Sequence, residues 1–296
     1  MASWLDYPYP PEAAAHPLHP RLQVLPDLWS PELGNARDIL VALPASYDAP
    51  AERPRRYPVV YMHDGQNLFD PATSFAGHWR LGDTLAYHAL EGIEAIVVGI
   101  PNVGRRRAYE YSPFRDREHG GGDGEDYMAF LVETLKPRID ADLRTLPGRE
   151  HTVVAGSSLG GLISLYAILR HPDVFAAAGA LSPALWFADR AIFDYAAGRP
   201  GARGRIHLDV GLEEGDEAVA DVRRMRDLLV ARGWSRRRDL SYVEEAHAEH
   251  REDAWARRLR AALPFLLGRD RPSGVAALFL DEPDDGRAAG APDVAP

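Results

Sequence analysis

An α/β fold built on a mostly parallel sheet, in a single domain, is what this 296-residue sequence predicts, on three observations. Short apolar runs bounded by Pro and Gly alternate with segments of helical periodicity, the pattern of strands joined by crossover helices. The run 94–100 (EAIVVGI) is nearly continuous in apolar residues, as a strand covered on both faces must be. The run 153–161 (VVAGSSLGG) passes from apolar residues through a tight glycine turn into a helical repeat.

In order along the chain, residues 1–20 are rich in Pro, Ala and His and are expected to form an irregular arm. Strands are expected at 38–43 (DILVAL), 58–62 (PVVYM) and 94–100, and a helix at 127–135. Residues 151–155 then read as a strand and 159–170 as a helix, in which Leu159, Leu162, Leu165 and Leu169 recur at helical spacing. Further strand-like runs at 176–181, 205–210 (RIHLDV) and 240–244 alternate with a helical pattern at 219–230. No internal repeat is present. From residue 269 the composition turns to Pro, Gly, Asp and Ala, too poor in apolar side chains to pack, and a disordered tail is expected over 269–296 apart from VAALFL at 275–280. The domain is therefore placed at 21–268. An apolar content of 46% is enough for one full core, with no room for a second large domain.

The formal net charge of −10 argues against nucleic-acid or anionic-membrane partners, which need basic patches. The cluster Arg105-Arg106-Arg107 is local and followed by acids. The absence of cysteine removes thiol nucleophiles, disulfides, Cys-ligated zinc and iron–sulfur clusters together. Lys136 is the only lysine among 34 Lys and Arg residues, which disfavours Schiff-base chemistry. The N-terminal segment shows neither a basic region nor an apolar stretch of signal type, and no run approaches a membrane span. A soluble cytoplasmic protein is the resulting expectation, and no cofactor is expected.

The chemistry is carried by Gly156-Ser157-Ser158-Leu159-Gly160, which fits G-x-S-x-G between a strand and a helix and makes Ser158 the expected nucleophile. A serine hydroxyl needs a base, and the base needs an acid to orient it. Four of the 11 histidines follow Ser158. His171 ends the helix and His207 lies inside a strand, whereas His247 and His250 both follow the run 240–244. Composition leaves these two open. It also leaves open Glu213, Glu214 and Asp216, which all follow the strand ending in Asp209-Val210-Gly211. His247-x-x-His250 lacks a third zinc ligand, so no metal is expected. One oxyanion donor should be the Leu159 N–H and the other a main-chain N–H after the third strand, where PVVYM runs into His63-Asp64-Gly65-Gln66-Asn67. Asp64 is read as shaping that turn rather than binding a metal with His63. His119-Gly120-Gly121-Gly122 spells a lipase oxyanion signature but does not directly follow a strand, and is read as part of a mobile Gly-rich loop. Trp186 is expected to line the substrate pocket, against the alternative of a core tryptophan, and Tyr111 either borders the pocket or packs.

Four segments in this order, YPVVYMHDGQNLFD (57–70), VVAGSSLGGLISLY (153–166), LSPALWF (181–187) and HREDAWARRL (250–259), resemble the "Putative esterase", or esterase D, family of α/β-hydrolases. That family includes siderophore-ester hydrolases, feruloyl and acetylxylan esterases and mycolyltransferases. The resemblance runs from residue 20 to 268 and implies an α/β-hydrolase fold with a Ser/acid/His triad acting on an ester. It selects His250, which has Glu252 two residues later and Trp255 five later, and Glu214, three residues after the strand-ending Gly211. It also selects Gln66, after the Asp-Gly pair, as the second oxyanion donor. The expected function is that of a serine carboxylic ester hydrolase working through an acyl-enzyme on a small soluble ester. The alternatives are an acyltransferase with the same triad and a non-catalytic binding protein on a hydrolase fold.

Overall fold

Side chains alternate between two faces along a strand, so a strand that is apolar throughout needs cover on both sides. In the computed structural model, which describes residues 3–8, 20–75, 77–199, 201, 204–236 and 238–269, a nine-stranded sheet between helices meets that need. Its strands are β1 (Leu5–Asp6), β2 (Arg21–Ser30), β3 (Asn35–Leu43), β4 (Val59–His63), β5 (Ile96–Ile100), β8 (Thr152–Ser157), β9 (Ala177–Leu181), β10 (Arg205–Gly211) and β11 (Leu240–Glu245). A separate hairpin pairs β6 (Arg115–Asp116) with β7 (Gly120–Gly121). The spatial order is β1-β2-β3-β5-β4-β8-β9-β10-β11. From β5 to β11 all neighbours are parallel, and β1, β2 and β3 add an antiparallel extension at one edge.

Parallel neighbours require crossovers, and helices supply them. In chain order they are α1 (Leu81–Ala89), the short α2 (Arg107–Glu110), α3 (Gly124–Ala129), α4 (Lys136–Asp142), α5 (Leu159–Arg170), α6 (Phe187–Ala197), α7 (Asp216–Ala231) and α8 (Glu252–Leu266). A π-helical stretch, Phe130–Leu135, joins α3 to α4. It lies directly before Pro137, which lacks the N–H that an uninterrupted α-helix would donate to Glu133.

The two faces can be read residue by residue. Val59, Tyr61, Ile96, Val98 and Val154 point into one core with Leu162 and Leu165 of α5 and Val222 and Met225 of α7. Their neighbours Val60, Met62, Val97, Val153 and Ala155 point into the other, with Leu81 of α1 and Trp255, Leu259 and Leu263 of α8. α5 is buried from Gly160 to Leu169, which explains why its sequence is apolar all round.

The expected strands and helices occur at their places, with boundaries that differ by a few residues. β2 was not expected, because Pro26-Asp27 interrupts its pattern. There the register slips between Leu25 and Leu28, and Asp27 takes a left-handed φ of 49°. Within the arm expected at 1–20, Leu5–Asp6 pair with Val24 and Gln23 at the sheet edge. Residues 9–19 and 270–296, including 275–280, lie outside the described residues. No helix among the described residues is long and apolar enough to cross a membrane.

Candidate active site

Ser158 sits where β8 turns into α5, at φ 57° and ψ −121°, a conformation that costs a non-glycine residue ~1–3 kcal/mol. The surroundings hold it there. Its N–H donates to Leu181 O at 3.0 Å, and its carbonyl accepts from Leu162 N and Ala184 N, both at 3.0 Å. The turn is too tight for side chains before it: a Cβ at Gly156 would lie 2.9 Å from the Gly160 carbonyl carbon and 3.0 Å from the His63 ring. The expected strand–turn–helix context is therefore present in full.

The parallel register carries the site sideways along the sheet. Ser157 is opposite Leu181, Leu181 opposite Asp209, and Gly211 opposite Glu245. Segments containing Ser158, Ser182, Glu214 and His250 thus leave the carboxyl ends of four adjacent strands. Among them the Glu214 carboxylate and the His250 ring meet, with Oε2 to Nδ1 at 2.7 Å. The second carboxylate oxygen, Oε1, accepts from Gly211 N at 2.7 Å, Ser182 Oγ at 2.6 Å and Arg258 Nη2 at 3.3 Å. Burial works against the charge on Glu214, but the hydrogen bonds from His250, Ser182 and Gly211 outweigh it and hold the carboxyl below its usual range. Gly211 makes the meeting sterically possible, because a Cβ there would collide with the Ala248 carbonyl and lie 2.9 Å from Glu214 Oε1.

The neighbouring candidates go elsewhere. His247 is 91% exposed at its side chain and faces Glu213 at 3.1 Å, while Asp216 begins α7 on the surface. His171 caps the end of α5. His207 is buried against Asp209, Nε2 to Oδ2 at 2.8 Å.

Ser182 and Arg258 were not singled out in the sequence, although both lie in segments that carry the resemblance. Ser182 Oγ donates to Glu214 and accepts from Trp255 Nε1 at 2.9 Å and Arg258 Nη2 at 2.7 Å. Trp255 also stands edge-on to the His250 ring, centroids 4.8 Å apart at 90°. The signal was faint: one serine after a strand and one arginine in an arginine-rich helix.

Behind the elbow, Asp64 has φ 56° and ψ 46°, a left-handed conformation at the turn it was expected to shape. Neither the Leu159 nor the Gln66 N–H donates to a protein acceptor among the described residues. Tyr111 does not border a pocket. It is fully buried, and its hydroxyl accepts the Asp64 N–H at 3.0 Å. His63 is buried with Nδ1 2.8 Å from the Tyr127 hydroxyl, and burial pushes it down to about 3, so it is neutral. Among the described residues no group of three His, Asp or Glu side chains is arranged to hold a metal ion.

A pocket of about 470 Å³ opens beside His250 and Glu214, walled by Leu185, Trp186, Val210 and Val222. Trp186 is 44% exposed, so it is not a core tryptophan. The His119 ring stands edge-on to it at 5.2 Å. The segment expected as a mobile Gly-rich loop is instead folded in part as the β6–β7 hairpin. Asp116 organises it, accepting the N–H groups of Glu118 and His119 at 2.8 Å and that of Ala188 at 3.0 Å. These bonds, led by those of His119 and Glu118, hold the Asp116 carboxyl down to about 2.

The family described as "Putative esterase" matches residues 30–266. The uncharacterized protein YbbA of Bacillus subtilis is 26% identical over 251 residues, which span 80% of this chain and 95% of that protein. The siderophore triacetylfusarinine C esterase of Aspergillus fumigatus is 31% identical over 137 residues, 44% of this chain and 45% of the relative. The ferri-bacillibactin esterase BesA of Bacillus subtilis is 29% identical over 154 residues, 45% of this chain and 49% of the relative. The chain thus aligns with about half the length of these two siderophore esterases. Among solved structures, the siderophore hydrolase EstA from Aspergillus nidulans superposes with a TM-score of 0.65 at 22% identity, covering 90% of this chain and 99% of that one. With the elbow, the sheet and a family match over residues 30–266 in agreement, the chain belongs to the "Putative esterase" family, carboxylic ester hydrolases on an α/β-hydrolase fold.

Proposed function

We propose that Ser158, His250 and Glu214 form a catalytic triad that hydrolyses a small soluble ester through an acyl-enzyme. The observation that supports this most is the 2.7 Å contact between His250 Nδ1 and the buried Glu214 carboxylate. An ionised Glu214 accepts a hydrogen bond from the Nδ1–H of His250 and so keeps Nε2 free to act as the base. Ser158 Oγ attacks the ester carbonyl while His250 Nε2 takes its proton. The carbonyl oxygen, now negative, is received by the N–H groups of Leu159 and Gln66. Collapse breaks the ester C–O bond, and the imidazolium returns its proton to the departing alkoxide. Water, deprotonated by His250, then attacks the acyl-serine, and collapse breaks the bond to Ser158 Oγ, which takes the proton back from the imidazolium as the acid is released. Because the alcohol leaves beside His250, the pocket walled by Trp186 and Leu185 is assigned to it, with Trp186 as a substrate-binding residue.

An ester of the siderophore class is the first substrate to test, on the strength of the similarity to the fungal and bacterial siderophore esterases. The cytoplasmic location expected from the sequence belongs to the same proposal, and cell fractionation tests it. For the chemistry, a serine-reactive phosphonate should give one covalent adduct, located on Ser158, and should abolish ester hydrolysis in proportion to labelling. Labelling at another residue, or full hydrolysis by the labelled protein, would overturn the assignment.

A further inference from the structure

A carboxylate is badly placed near a developing oxyanion, and Asp64 lies on the loop that carries one of the two proposed oxyanion donors. It is 5% exposed and lies two residues before Gln66. Its Oδ2 is 3.5 Å from the position a Cβ would take on Gly160, which puts the carboxylate against the first turn of α5. Two like charges in a site of low dielectric repel strongly, so an unpaired Asp64 would oppose the very charge that the two N–H groups are there to receive.

The structure supplies one cation for it. The Arg107 guanidinium grips Asp64 as a fork, Nε to Oδ1 at 2.8 Å and Nη2 to Oδ2 at 2.8 Å. Asn102 Nδ2 adds a bond to Oδ1 at 2.7 Å, and the Asn102 N–H donates to Gln66 Oε1 at 3.2 Å. Thr73 Oγ1 donates to the Gln66 carbonyl at 2.7 Å. Arg107 is itself anchored, because Glu110 at the other end of α2 is held by Arg37 through two bonds of 2.9 Å in a fully buried pair. Burial alone would raise the Asp64 carboxyl, but the Arg107 charge and hydrogen bonds outweigh it and keep Asp64 ionised. The loop that carries Gln66 therefore has a left-handed residue at its start, clamped from the side by an arginine on a braced support.

We propose that Arg107 is a positioning residue for the oxyanion hole: it fixes Asp64 so that the Gln66 N–H faces the reacting carbonyl, and it cancels a carboxylate that would otherwise repel the oxyanion. This rests on the reading that Leu159 and Gln66 donate to that oxygen. The two roles predict an unusual pattern, in which removing the acid repairs removal of the base. A merely structural pair would show that repair in stability and would leave the ratio of rates on an oxygen ester and its sulfur counterpart unchanged.

The test compares Arg107→Met, Arg107→Lys, the double variant Asp64→Asn/Arg107→Met, and Gln66→Pro on a 4-nitrophenyl ester and its thiono counterpart, with C=S in place of C=O. A hole shaped for oxygen discriminates against sulfur, so the ratio of the two rates reports on the hole itself. Arg107→Met should lower kcat on the oxygen ester by at least ~10²-fold, the scale of one lost oxyanion donor, with KM little changed. The oxygen-to-sulfur rate ratio should fall by ~10-fold or more. Adding Asp64→Asn should recover at least ~10-fold of kcat, and Arg107→Lys, which keeps the charge but not the fork, should lose only about 10-fold. A double variant no faster than Arg107→Met overturns the proposal. So does an unchanged ratio in Arg107→Met when Gln66→Pro lowers it. An unchanged ratio in Gln66→Pro, with the protein folded by thermal unfolding, would instead show that the hole is built elsewhere, and the clamp would fall with it. Should Arg107→Met not fold, unchanged kcat and ratio in Arg107→Lys overturn the proposal alone.

Discussion

On the β4 and β8 side of the site the backbone is strained or crowded, with Ser158 at φ 57° and Asp64 at φ 56°, and the proposed oxyanion donors, the N–H groups of Leu159 and Gln66, are main-chain groups with no protein acceptor among the described residues. On the β10–β11 side the proposed groups are side chains, where Glu214 and His250 meet with Ser182, itself at φ 40°, Trp255 and Arg258 behind them. The contrast teaches what each half tolerates. A main-chain donor survives almost any side-chain replacement that keeps the turn. A carboxylate that sets an imidazole tautomer does not survive even an isosteric amide.

The sharpest break of the comparison is at its junction, the Ser158 hydroxyl, which the elbow carries and His250 is proposed to deprotonate. Ser158→Ala should cost ~10⁴- to 10⁶-fold in kcat with the fold retained, and His250→Ala about as much. The double variant should be no worse than either single one, because the residues act as a unit. Steady-state kinetics on a short activated ester checks this, and retention of ~1% of the activity by Ser158→Ala would reassign the nucleophile.

Next in size is the tautomer effect. Glu214→Gln should lower kcat by at least ~10²-fold, whereas Glu213→Gln, Asp216→Asn and His247→Ala should stay within ~3-fold. A crippled Glu213→Gln would show that another carboxylate serves His250. A smaller, mixed effect is expected of Gly211→Ala. The added methyl must push Ala248 or Glu214 aside, which should destabilise the protein by ~1–3 kcal/mol and lower kcat together with thermal stability. Calorimetry and kinetics on one preparation check both, and a stable, fully active Gly211→Ala would refute the steric account.

The smallest expected effect is on pH. The folded-state pKa of Glu214 is lowered from the ordinary 4.5, so the native state binds fewer protons than the unfolded chain as the pH falls. The stabilisation is fully present above that ordinary value and is lost on acidification through the lowered one. Wild type should therefore lose stability below about pH 4.5 more steeply than Glu214→Gln. Denaturant melts across that window check the slope, and parallel curves would place the acid sensitivity elsewhere.

How much was legible follows the same division. The elbow was read directly, since only small residues permit the turn and G-x-S-x-G displays them. The parallel strands were legible because double-sided burial forces continuous apolar runs. β2 was not, because its Pro26-Asp27 bulge breaks the period that identifies a strand. Glu214 and His250 could be narrowed to a few neighbours by their place after β10 and β11, but composition could not choose among them; the choice needed the family resemblance. Ser182 stayed hidden because its role arises from partners in the loop after β10 and on α8, distant in sequence. Tyr111, left open between bordering the pocket and packing, packs, and its hydroxyl serves a turn 47 residues away that the sequence does not connect to it.

The last helix has a consequence for how this protein would fail. Trp255 and Arg258 sit three residues apart on α8, and both bond the Ser182 hydroxyl that supports Glu214. α8 packs on the opposite sheet face from α5, which carries the elbow. Detachment of α8 alone would uncouple the acid from the histidine while the serine kept its geometry. Such a molecule would be a switched-off copy with an intact nucleophile, silent toward esters though most of its sheet remained folded.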